Sequence, residues 1–276
     1  MAAPNAITPQ QLLRLIGTPQ APIIVDVCLD PDFNDDPFLI PGSIRHSHTD
    51  LDGIKNLVHG QRCVITCQKG KKLGQGVAAW LRSEGEIAEY LEGGMFAWRD
   101  HPDAPRVPAS ALPAPVAGRT FWVTRLRPKI DRIACPWLIR RFIDQNAKFL
   151  FVSPAEVSGV AERFNATPFD VEETFWSHRG TKCTFDTMLD EFCLHTPALD
   201  RLAAVVRGAD TNNHDLAPEA AGLLAFSVGL SRQYRDDNQQ LEAGLGLYDA
   251  LYRWARDGFN EGHDWPADNK NESVIQ

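Results

Sequence analysis

No apolar run in the 276-residue chain approaches the ~20 residues that a membrane-spanning helix needs, so no membrane partner is expected. Residues 1–5, Met1-Ala2-Ala3-Pro4-Asn5, carry neither a basic n-region nor an apolar h-region, which predicts no signal peptide. Positive charge is in short supply. Lys and Arg number 28 against 36 Asp and Glu, a net charge of -8, which argues against general binding to nucleic acid or anionic lipid. No Gly-x-Gly-x-x-Gly follows a strand pattern, so the fingerprint of a nicotinamide or flavin enzyme is missing. There is no Cys-x-x-Cys pair either. Six cysteines so dispersed read as free thiols in a reducing compartment, and a bacterial cytoplasmic location is expected. The length and the 43% hydrophobic content suffice for two domains of ordinary size.

The first half is organised around Val64-Ile65-Thr66-Cys67-Gln68-Lys69-Gly70-Lys71-Lys72. An apolar run ends at a cysteine, and a glycine-containing basic loop then opens into a helical pattern. Leu73, Val77, Trp80 and Leu81 fall at i, i+4, i+7 and i+8, one face of that helix. A thiol at this junction is expected to face loop N–H groups and the positive end of the helix dipole, with Lys69, Lys71 and Lys72 nearby. Each influence favours thiolate, the nucleophilic form. Cys67 is the candidate nucleophile.

Upstream stand Ile23-Ile24-Val25-Asp26-Val27 and Ile40-Pro41-Gly42-Ser43-Ile44, and downstream Glu92-Gly93-Gly94-Met95-Phe96-Ala97-Trp98. In this order and spacing, residues 5–100 resemble a rhodanese (sulfurtransferase) domain. The resemblance implies a mainly parallel α/β sheet with helices on both faces. It also implies a six-residue loop, 67–72 here, that binds a sulfur oxyanion while the cysteine carries a persulfide. Related phosphatase and arsenate-reductase loops are one residue longer, so sulfur is favoured over phosphate or arsenate. On this basis Cys67 and Lys72 are the candidate catalytic residues, and Gln68, Lys69, Gly70 and Lys71 the candidate substrate-binding ones. No cofactor is required for such sulfur transfer; the partners are a small sulfur oxyanion or persulfide donor and a thiol acceptor. Two positions depart from the family pattern. Lys72-Leu73 replaces the usual Arg followed by Ser or Thr, and a lysine cannot grip an oxyanion bidentately. Cys28 stands where an Arg often follows Asp-Val, which removes an ion pair and brings a second thiol toward the loop.

Along the chain, Thr8-Pro9 opens the first helix with Leu12, Leu15 and Ile16 on its buried face, and residues 22–27 form the first strand. The acidic stretch 30–37 reads as a solvated loop. Five prolines between residues 101 and 120 predict an extended, semi-rigid linker. Domains are therefore expected at 1–100 and 121–266, with a disordered tail over 267–276. The second domain should be mostly helical with a few short strands. Residues 121–125 read as a strand, Ser153-Pro154-Ala155-Glu156 as a capping box, Thr196-Pro197 as a helix start, and 217–235 and 237–256 as helices. Pro136 fits a first helical turn, which would put Cys135 at a helix N-terminus among arginines and make it a candidate sulfur acceptor.

Trp122-Val123-Thr124-Arg125, the run from Asp131 to Asp144, His178-Arg179-Gly180 and Gly208-Ala209-Asp210 resemble the C-terminal domain of bacterial chromate-resistance proteins. Chromate and sulfate are tetrahedral dianions suited to guanidinium clusters. Arg125 and Arg132 are the candidate oxyanion ligands, with Arg127, Arg140 and Arg141 beside them; pairing with carboxylates as structural bridges is the plainer alternative. His178, Asp186 and Asp210 are candidate ligands for iron, manganese or zinc, with His214 nearby in sequence. Glu191 and His195 are i, i+4 on a helix and read as capping or packing residues. Together these features predict a rhodanese-type sulfurtransferase linked to chromate or oxyanion resistance. The alternative is a non-catalytic protein that binds or senses chromate or sulfate, with its metal in the second domain.

Overall fold

Strand runs in the first hundred residues are apolar on both faces, so they belong in the middle of a covered parallel sheet. A computed structural model of the protein describes residues 5–262, and the tail expected at 267–276 lies outside them. The first sheet has five parallel strands in the order β1 (Ala6–Ile7), β6 (Ala88–Leu91), β5 (Cys63–Thr66), β2 (Ile23–Asp26) and β4 (Ser43–Arg45). Alternation of side chains divides its core. Ile23, Val25, Cys63 and Ile65 join one apolar cluster with residues of α3 (Leu51–Val58) and α4 (Lys72–Ser83). Ile24 and Val64 belong to the cluster on the opposite face, with Leu12 of α1 (Pro9–Leu13) and Trp98 of α5 (Gly94–Arg99). Thr8 and Gln11 close the capping box that starts α1.

The acidic stretch is not a plain loop: residues Asp30–Asn34 form a short helix, α2, with Asp30 and Pro31 in its first turn. The proline-rich stretch is extended only in part, with a 3-10 turn at Ala109–Ala111, and it is tied to the first domain. Its strand β7 (Val107–Pro108) pairs antiparallel with β3 (Phe38–Leu39), Arg106 bridges to Asp36 at 2.6 Å, and the Trp98 indole N–H donates to the Pro105 carbonyl at 3.0 Å.

The second domain holds a three-stranded parallel sheet, with β8 (Phe121–Arg125) between β9 (Lys148–Val152) and β10 (Thr167–Pro168). Among the described residues six α-helices accompany it: α6 (Asp131–Phe142), α7 (Val157–Phe164), α8 (Thr184–Glu191), α9 (Pro197–Asp210), α10 (Ala220–Gln233) and α11 (Asp237–Arg253). The Ser153 capping box is not formed. Pro154–Glu156 makes a 3-10 turn, α7 starts only at Val157, and the Ser153 side chain caps nothing. Pro136 lies inside α6 rather than in its first turn.

The two domains share one apolar cluster, which runs from Ile7, Leu12, Ile16 and Trp98 to Trp137, Phe142 and Tyr252. Gly17 marks the closest approach. It takes φ +77°, and a Cβ there would overlap the Phe142 ring and lie 2.9 Å from Tyr252 Cε1. Among the described residues no helix is long and apolar enough to cross a membrane.

Candidate functional site

Cys67 follows the carboxyl end of β5 directly, where open α/β sheets present their loops. The residue is only 5% exposed, and Gly74 in the first turn of α4 donates its N–H to Sγ at 3.3 Å. A helix start has unpaired N–H groups, and one of them is spent on this sulfur. Gly74 also makes the room, since a Cβ there would sit 3.3 Å from Sγ. The loop is clamped from outside: Met95 and Phe96 donate their N–H groups to the carbonyls of Cys67 and Gln68, each at 3.0 Å. Gly70 and Gly94 approach so closely, at φ +60° and +61°, that a Cβ on Gly94 would overlap the Cys67 carbonyl oxygen and the Gly70 nitrogen. Gln75 Nε2 donates to the Gly70 carbonyl at 3.0 Å. Lys69, Lys71 and Lys72 are exposed, and among the described residues none of them forms an ion pair. A nearly buried sulfur thus heads a loop that carries three exposed lysines.

The ion pair lost to Cys28 is replaced from another strand. Arg45 of β4 reaches the buried Asp26 at 3.3 Å and Asp30 at 2.7 Å, while Asp26 accepts the Cys28 N–H at 2.9 Å. Burial and the Asp26 carboxylate push the Cys28 thiol far above its ordinary range, with a smaller upward push from Cys67. Burial takes Cys63 up to about 12. Cys135 is not at an accessible helix end: it is fully buried inside α6, and burial drives its thiol well up. The acceptor role expected for it is therefore withdrawn. Among the described residues all six cysteines are free, and Cys193 is the exposed one.

The arginines of the second domain do not converge on an open anion site. Arg125 and Arg132 reach the Asp170 carboxylate at 3.4 and 3.2 Å. Arg141 grips Asp249 bidentately, with both bonds at 2.8 Å, and Arg140 pairs with Glu242 at 2.6 Å. Arg127 donates to the Tyr234 and Ser231 carbonyls. Carboxylate bridging thus describes Arg125, Arg132, Arg140 and Arg141, while Arg127 is tied to backbone carbonyls.

His178 and Asp210 do come together, with Nε2 3.2 Å from Oδ2. Asp186 does not join them. It sits at the third position of α8, accepts the Cys183 N–H at 3.0 Å, and pairs with Arg207 at 2.6 Å, so both oxygens serve its own helix and α9. In its place are Asp131 at 3.5 Å and Asp170 at 3.4 Å from His178 Nε2. Neither carries a sequence signal for this place: Asp131 reads as an arginine's partner, and Asp170 stands alone. Hydrogen bonding to Asp131, Asp170 and Asp210 holds the His178 imidazolium far above the usual histidine range. Burial pushes the Asp131 carboxyl upward. His214 is exposed in a separate turn.

Glu191 pairs with Arg179, and His195 lies between Asp200 at 2.8 Å and Asp190 at 3.0 Å. The Asp200 hydrogen bond raises the His195 pKa above 6.5. A raised folded-state pKa stabilises fully below 6.5 and is lost as pH climbs through the folded value. Because the ring is half exposed, the effect should stay under about 1 kcal/mol. Melting curves of wild type and His195→Gln should therefore differ most near pH 5–6 and converge in alkaline buffer. A pH-independent gap would refute this linkage.

The family description "Rhodanese-like domain" matches residues 8–101, and "ChrB, C-terminal domain" matches residues 122–255. The chain is 33% identical over 132 residues to Protein ChrB of Cupriavidus metallidurans, covering 48% of this chain and 39% of that relative's length. A rhodanese-like domain protein of Staphylococcus aureus is 25% identical, over 36% of this chain and 94% of its own, with a TM-score of 0.32. A Rhodopseudomonas palustris protein of unknown function, described as a possible tyrosine phosphatase, is 21% identical over 35% of this chain and 80% of its own, with a TM-score of 0.30. Residues 8–101 are thus a rhodanese-like domain and residues 122–255 a ChrB C-terminal domain.

Proposed function

We propose that the first domain is a sulfurtransferase whose Cys67 carries a persulfide. The observation behind this reading is the N–H of Gly74 on Cys67 Sγ, at the head of a six-residue loop with three unpaired lysines on its rim. The Cys67 thiolate attacks the sulfane sulfur of thiosulfate. A new S–S bond forms, the old one breaks, and sulfite leaves with the bonding pair. The loop N–H groups and Lys72 stabilise the charge on the leaving group, with Gln68, Lys69, Gly70 and Lys71 holding the oxyanion. An external thiolate then takes the outer sulfur and restores Cys67; Cys135 is too deep to do so. No cofactor enters these steps. The acceptor is a thiol free in solution or on another protein, and neither nucleic acid nor membrane takes part. The free cysteines fit a cytoplasmic setting, and the second domain's resemblance to chromate-resistance proteins supports a role in oxyanion resistance.

Intact-mass measurement after incubation with thiosulfate tests this. Wild type should gain one sulfur atom, removable by a reducing thiol, and Cys67→Ser should gain none. If wild type gains nothing from thiosulfate or from a small persulfide donor, the loop is an oxyanion-binding module without catalysis.

A further inference from the structure

We propose that the second domain binds one divalent first-row cation between His178 Nε2 and the carboxylates of Asp131, Asp170 and Asp210. One imidazole N–H faces three carboxylate oxygens, at 3.2, 3.4 and 3.5 Å. Charge-assisted N–H···O bonds settle near 2.7–2.9 Å, and one N–H can be aimed well at only one acceptor. As a hydrogen-bonding arrangement the cluster is loose. The Nε2-to-oxygen distances do match a coordination shell, in which ligands about 2.1 Å from a tetrahedral ion lie roughly 3.4 Å apart; Asp131, Asp170 and His178 form its compact part, and Asp210 adjoins them through His178.

A second observation is independent of those distances. Asp131 is fully buried, and its Oδ1 has no hydrogen-bond partner. Leaving a buried carboxylate oxygen unpaired is costly, and a cation bound through Oδ2, the oxygen that faces His178, would offset the charge of that carboxylate. The ligand-bearing atoms of Asp131, Asp170 and His178 all lie within 4.8 Å of each other.

The surroundings orient the ligands as metal sites require. Thr184 donates its N–H to Asp131 Oδ2 at 2.6 Å and its hydroxyl to Asp170 Oδ1 at 3.0 Å. Arg125 and Arg132 hold the other Asp170 oxygen. These arginines and the His178 imidazolium balance the three carboxylates, so the cation must displace the proton on Nε2. The His178 side chain is 42% exposed, which gives the ion an entry path and leaves a coordination position facing solvent. One imidazole with three carboxylates suits manganese(II), iron(II) or zinc(II).

Full-length protein stripped by a chelator should be titrated with manganese(II) alone, a probe that thiols hold poorly, and free ion followed by electron paramagnetic resonance. One ion per chain is expected, with a rise in melting temperature. His178→Ala and Asp210→Asn should each weaken binding at least about tenfold, whereas Asp186→Asn should leave it unchanged. Circular dichroism of the conservative Asp210→Asn separates loss of the site from loss of the fold. Absence of saturable uptake by wild type, or equal uptake by folded Asp210→Asn, would overturn the assignment and leave an ion-pair network only.

Discussion

Gly94→Ala should slow sulfur loading of Cys67 by about a hundredfold, the order expected when a reacting group is displaced by roughly 1 Å. The added methyl has nowhere to go: it would overlap the Cys67 carbonyl oxygen and the Gly70 nitrogen, and φ is +61°. Either the backbone of residues 67–70 retreats, or the 3.0 Å bond from Met95 to Cys67 is given up. The strained residue should also cost about 1–3 kcal/mol of stability. Gly76→Ala is the control. Gly76 is in α4 with open space around it, so loading should be untouched and stability slightly raised, by about 0.5–1 kcal/mol. Loading rates come from timed intact-mass measurements with thiosulfate. A Gly94→Ala protein that loads at the wild-type rate would show that the clamp does not prime the sulfur.

Phe142→Ala should destabilise the whole chain, although the residue lies at the end of α6 in the second domain. Its ring is buried against Trp137 and Tyr252, with centroids 5.9 and 5.6 Å apart, and stands over Gly17 of the first domain. Truncating a buried phenylalanine costs about 3–5 kcal/mol. For a chain of this size that lowers the melting temperature by about 6–10 °C. Because the cluster is shared, amide hydrogen exchange should rise in β2 and β5 as well as in α11. Faster exchange confined to α11 and its neighbours would mean that the domains melt independently.

The loop of the first domain was legible because its chemistry is local: strand, cysteine, glycine and helix face follow each other within about twenty residues, and each is read by periodicity. The glycine clamp could be seen as a motif, but that Gly94 presses on the cysteine carbonyl is a tertiary fact. Pairing across distance was mostly hidden. Arg45 supplies the partner of Asp26 from a strand that no pattern links to it, so the ion pair seemed lost with Cys28. In the second domain His178 and Asp210 do lie side by side, whereas Asp186, which the family resemblance groups with them, is turned away. Its position at the third residue of a helix was the clue that it would turn back to cap that helix. Asp170 offered no clue at all, since a lone aspartate at φ +49° after a short strand looks like any turn residue. Pro136 misled in the usual way: proline is commonest in a first turn, yet a buried helix can carry it further in when neighbours cover the gap.

The pairing of β7 with β3 has a consequence for anyone who wishes to excise the first domain. A truncation at residue 101, where the family match stops, would remove the strand that covers Phe38 and Leu39 and the carbonyl that receives the Trp98 indole. The excised piece would carry a raw edge and an orphaned donor. Where one fold's likeness ends in sequence is not where its masonry ends in space, and the cut belongs beyond Pro108.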